Sequence, residues 1–298
     1  MRRLLVLGAV LLVVALVALT VTMQDHHGPA PSPTPAPTST QRRPIPGSPT
    51  SSSTQKVNES SSRCQVTGPA SERNLVEQLA ELCEPAAETV DTAWGTAWSE
   101  GNGRRTQLVV AATTKDLAKL LDRNDTEGLA DTAAVTVGPE DAPAKAVYVN
   151  GPAFDGLSDQ GRQIVLTHEL VHVASRATGD SDAPTWLEEG FADYVAYRGT
   201  NLSSQQIAGE ALNASLPGSL PTTADFDASG SKAAIAYGRS WAAVRVVAGR
   251  LGGDEAMKRF YQKAAHQGLA AALRSAGFAN VGAFVKAWRV EIAALRKR

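Results

Sequence analysis

The run Thr167-His168-Glu169-Leu170-Val171-His172 sets two imidazoles four residues apart, with a carboxylate directly after the first. On a helix a spacing of four puts both rings on one face, one turn apart, where two ring nitrogens can approach a single ion at about 2.0–2.1 Å. Glu169 is rotated from His168 by about 100°, beside that face rather than on it. This is where a base belongs: Zn²⁺ lowers the pKa of a coordinated water to about 7, and a neighbouring carboxylate can take its proton as a carbonyl is attacked. The chain has five histidines; only three follow residue 63, two of them in this motif and the third, His266, in a charged helical stretch. Two histidines stacked on a buried helix face are costly to desolvate unless something uses them.

A catalytic zinc needs a third protein ligand and an open fourth position. The H-E-x-x-H-x-x-G-x-x-H extension fails, because Ser175 and Thr178 stand where it requires Gly and His. A carboxylate from another element must therefore complete the set. The segment Trp186-Leu187-Glu188-Glu189-Gly190-Phe191-Ala192-Asp193-Tyr194 begins 14 residues past His172. Two antiparallel helices joined by a short loop pack about 8–10 Å apart, close enough for a carboxylate on one to meet histidines on the other.

These two motifs together resemble the gluzincin zinc metallopeptidases, particularly the M1 aminopeptidase-like or peptidase MA-like domains with their W-L-x-E-G-F/L-A signature. The resemblance runs from about Tyr148 to Arg289, with a slightly shorter spacer than in M1 aminopeptidases. It implies a zincin-like fold, Zn²⁺ as cofactor, and Glu189 rather than Glu188 as the third ligand. It also implies that Asp193, in an E-x-x-x-D pattern, accepts a hydrogen bond from a ligand histidine, the usual device for fixing its tautomer. Tyr237 opens the run Tyr237-Gly238-Arg239-Ser240, similar to the family's Y-x-x-G/S helix, where the hydroxyl stabilises the oxyanion; packing of an aromatic ring is the competing role. Arg239 and Arg245 could hold a substrate carboxylate or simply face solvent. The strand at residues 146–150 stands where family members pair an edge strand with extended peptide. No G-x-M-E-N-like segment is present, so the resemblance does not carry exopeptidase activity with it.

The elements that must position these groups follow from hydrophobic periodicity. A first helix is expected over residues 72–82, continuing past Pro85 toward Trp94 and Trp98, then strands at 106–112, 133–137 and 146–150, with Thr113 capping a helix at 115–121. Ser158 caps the motif helix, which Gly179 stops, and a second helix covers 185–197. Further helices are expected at 204–212, 232–251, 254–266, 269–275 and 281–295. The class is therefore α+β: a small mixed sheet lobe followed by a mainly helical lobe, with the motif helix between them.

At 298 residues, 43% hydrophobic, the chain can bury a core, and its first segments stand apart from it. Residues 4–23 are apolar behind Arg2 and Arg3, about the length of a bilayer-spanning helix, and read as an uncleaved anchor, with a removed signal peptide as the alternative. The positive-inside rule then puts the rest of the chain outside the cytoplasm, or secretes it if the segment is cleaved. Residues 24–63, rich in Pro, Ser and Thr, read as a disordered stalk, leaving 64–298 as the metallopeptidase-like domain. Cys64 and Cys83 are the only cysteines; outside the cytoplasm such a pair is most simply a disulfide, and two thiols with 18 residues between them match no zinc pattern.

Residues 1–63 hold six basic and two acidic side chains, leaving 23 basic and 28 acidic for the domain. A mildly acidic domain lacks the basic stripe that phosphate backbones require, which argues against nucleic acid as a partner. The expected partners are a peptide or protein substrate and, through the span, the membrane; the oligomeric state stays open. The expected function is zinc-dependent hydrolysis of peptide bonds outside the cytoplasmic membrane. The alternative is a non-catalytic envelope scaffold that keeps a metallopeptidase fold and uses zinc for stability.

Overall fold

The computed structural model describes residues 55–100, 105–139, 142–180 and 182–297. The expected span at 1–23 and most of the expected stalk lie outside the described residues. Among those described, no helix is long and apolar enough to cross a membrane. Residues 56–60, expected to belong to the stalk, instead form an edge strand, β1 (Lys56–Ser60). Val57 is its only buried apolar side chain, and its pairing with β2 (Cys64–Pro69) supplies what its composition does not.

A turn of 3₁₀ helix leads into α1 (Arg73–Trp94), which passes through Pro85 unbroken, and α2 (Ala97–Glu100) follows Gly95. Next come β3 (Thr106–Ala111), α3 (Thr114–Leu120), β4 (Ala134–Val137) and β5 (Ala146–Asn150). Thr113 caps α3 by accepting from the Asp116 amide. A short α4 (Gly151–Asp155) precedes α5 (Asp159–Ala177), α6 (Thr185–Ala196), α7 (Ser204–Asn213) and α8 (Thr223–Phe226). The chain closes with α9 (Ser231–Leu251), α10 (Asp254–Gln267), α11 (Leu269–Ser275) and α12 (Val281–Leu295). The result is a small mixed sheet followed by a mainly helical region.

The five strands lie in the order β1-β2-β3-β5-β4. β2, β3 and β5 run parallel, and β1 and β4 lie antiparallel at the two edges. Residues 146–150, expected at an edge, are therefore internal. β4 folds back antiparallel on the outside of β5 and takes the edge position. Successive strand residues face opposite ways. Tyr148 and Val135 pack with α3, while Val147, Val149 and Ala134 enter the main core with α1 and α5. Thr136, two residues past Ala134 on β4, thus shares the face toward α5.

α1 and α5 lie side by side and run the same way: Arg162 reaches Gln78 near their starts, and the Trp94 indole donates to Thr178 at their ends. The Cys64–Cys83 disulfide ties the start of β2 to α1 across a Cα separation of 6.2 Å, with both residues fully buried. The sheet and α1 thereby form a platform against which the motif helix is fixed.

Candidate metal centre

α5 starts at Ser158, whose hydroxyl accepts from the Gly161 amide, and ends at Gly179, where φ of 75° suits a residue without Cβ. Residues 164–175 are buried throughout, because the sheet, α1 and α6 cover the helix from several sides. A helix buried all round has no solvated face for its polar groups, so His168, Glu169 and His172 must find partners inside the protein.

The histidines lie one turn apart, ring centroids 4.9 Å from each other. The loop after Gly179 turns the chain back, and α6 delivers Glu189 to the same point. His168 Nε2 lies 3.1 Å from His172 Nε2 and 3.2 Å from Glu189 Oε2, and the third edge, His172 Nε2 to Glu189 Oε2, is 3.5 Å. Four ligands about 2.0–2.1 Å from a tetrahedral ion stand about 3.3 Å from one another. The three atoms thus form one face of such a tetrahedron, and this buried group could hold a metal ion.

Asp193, one turn beyond Glu189 on α6, places Oδ1 2.9 Å from His168 Nδ1. A carboxylate there accepts a hydrogen bond from Nδ1–H, so that Nε2, which faces Glu189 and His172, is the nitrogen that would turn to a metal. Burial opposes a charged His168 ring, but Asp193 and Glu189 outweigh it and hold its pKa up to about 10. Burial likewise opposes ionisation of Glu189, yet His172 and His168 draw its pKa down to about 2. Burial pushes the Asp193 carboxyl upward against the pull of His168. Two buried carboxyl groups, Glu189 and Asp193, flank the two imidazoles, and each has an imidazole nitrogen as its partner.

Glu169 is fully buried, and one of its carboxylate oxygens meets the sheet. Its Oε2 accepts a 2.6 Å hydrogen bond from the hydroxyl of Thr136 on β4. Its Oε1 has no hydrogen-bond partner among the described residues. Tyr237 is buried on α9, its ring edge-on to Phe226 at 5.1 Å. Arg245 pairs with Glu291 and lies over the Trp241 ring, and Arg239 donates to the Ser215 carbonyl.

Two residues that sequence reasoning passed over matter here. Thr136 is a polar residue in an otherwise apolar strand, which is the signal that could have marked it. Asp180, in the loop between α5 and α6, is buried and accepts from Thr178 Oγ1 at 2.6 Å and Gln262 Nε2 at 3.0 Å. His266 Nε2 lies 2.7 Å from its other oxygen. The third histidine of the domain therefore anchors the connecting loop to α10 and takes no part in the metal cluster.

Gly190 explains itself by contact. A Cβ at this position would lie 2.5 Å from the Ser240 carbonyl oxygen, so only glycine lets α6 approach α9 this closely. Gly190→Ala is expected to push the two helices apart, lowering stability by about 1–3 kcal/mol. Because Glu189 is the adjacent residue, any affinity of the cluster for a divalent metal should fall with it; a thermal melt and a metal titration of the variant check both.

The chain matches no protein-family model and no curated protein.

Proposed function

We propose that this chain is a zinc-dependent metallohydrolase that cleaves peptide bonds, built on a zincin-like fold of the gluzincin type. The observation that carries this reading is the triangle of His168, His172 and Glu189 atoms at tetrahedral spacing, next to a buried carboxylate with one unpartnered oxygen. A site that only braced the fold would close all four positions with protein groups, whereas three ligands leave one corner for substrate.

A zinc ion held by His168, His172 and Glu189 would supply Lewis acidity and bring the pKa of water into the neutral range. Glu169 takes the proton through Oε1 and returns it to the leaving amine. Asp193 keeps His168 in the tautomer that presents Nε2. Tyr237 donates its hydroxyl to the oxyanion as substrate enters beside α9. β4, the last strand of the sheet, pairs with extended peptide through its backbone, which leaves side-chain preference loose. The disulfide supports a location outside the reducing cytoplasm, either tethered through residues 1–23 or released.

The test is hydrolysis of a library of internally quenched peptides by the zinc-loaded chain. Cleavage that a chelator stops and added zinc restores supports the proposal. A fully loaded, folded chain that cleaves nothing in the library overturns it and favours the scaffold.

A further inference from the structure

Among the described residues, Thr136 is the one side chain that bonds to the Glu169 carboxylate: its hydroxyl lies 2.6 Å from Oε2, and also 3.2 Å from the Glu169 main-chain oxygen. Both residues are buried, so water does not compete for the contact. A hydroxyl has one proton to donate, and the shorter distance assigns it to Oε2. Oε1 is left buried with no donor among the described residues. A buried carboxylate oxygen without a donor is costly, and the local structure tolerates it only where another group is to meet it. We infer that Thr136 is a positioning residue for the general base: by holding Oε2 against the sheet it fixes the rotamer of Glu169 and reserves Oε1 for the reacting water.

This inference rests on the metallohydrolase reading and adds to it the sheet's part in the chemistry. The base is set by a strand, not by its own helix. β4 is also an edge strand, and its pairing with β5 is antiparallel, with Thr136 opposite Val147. The register of β4 therefore fixes where the base points.

The test compares Thr136→Val, which keeps the β-branched shape and removes the donor, with Thr136→Ser, which keeps the donor. On the best-cleaved library peptide, Thr136→Val should lower kcat about 10- to 100-fold, with KM and zinc stoichiometry unchanged. Thr136→Ser should recover most of the loss. A second measurement needs no turnover. In the zinc-free chain, Thr136→Val should lower the melting temperature by several degrees, and by much less when Glu169 is already Met, because the carboxylate it served is gone. Wild-type kcat in Thr136→Val, with Glu169→Gln inactive, overturns the positioning role and leaves the function standing. Additive melting shifts overturn the contact itself. A wild-type chain without hydrolase activity removes the function and this inference together.

Discussion

Glu169→Gln is expected to reduce kcat by on the order of 10³-fold while the chain still binds zinc with wild-type stoichiometry. The carboxamide has the volume of the carboxylate and can still accept from Thr136, so the 2.6 Å contact to β4 survives and the helix has no reason to move. None of the three proposed ligand atoms is touched, since the candidate metal group among the described residues comprises His168, His172 and Glu189. What the substitution removes is the capacity to take a proton at Oε1. The proposed binding of peptide along the strand edge does not depend on that capacity, so KM should change little, and the loss should lie in kcat. Steady-state kinetics together with metal analysis of the same preparation check the expectation. A Gln variant with wild-type turnover would end the assignment of Glu169 as base; one that also lost its zinc would mean that Glu169 acts on the metal site itself.

The metal cluster was legible because its spacing obeys local geometry. A separation of four is a property of one helix, and the second motif opens 14 residues later on a helix that a short loop must return against the first. The strand at Ala146–Asn150 and the cap at Ser158 were equally local. What escaped were long-range facts. β1 has one buried apolar residue and takes its stability from pairing with β2, which no window of composition reveals. The edge position of β4 follows from the direction of a hairpin, and strand patterns do not encode which neighbour lies outermost. Thr136 meets Glu169 across 33 positions, and Asp180 meets His266 across 86. Both are polar side chains in the interior, where only the three-dimensional neighbour explains their presence.

Loss of Glu189 should have the largest effect on the metal. In the wild type, zinc at about a thousand times its dissociation constant adds about 4 kcal/mol of stability, which for a domain of this size raises the melting temperature by on the order of 10 °C. Glu189→Ala leaves two imidazole nitrogens 3.1 Å apart with no carboxylate to complete the triangle. The zinc-dependent rise in melting temperature should vanish. Asp193→Asn keeps all three ligands and alters only the partner of His168 Nδ1, so affinity should fall by about 10- to 100-fold and the rise should shrink without disappearing. Glu188→Ala should leave zinc binding intact, because the adjacent carboxylate, not this one, faces the histidines. The three variants lie within six residues of one helix and report on different faces of it. Their order therefore tests the register of α6: equal losses at 188 and 189 would place the helix wrongly. A wild-type chain whose melting temperature ignores both zinc and chelator would remove the ion from this site and, with it, the hydrolase.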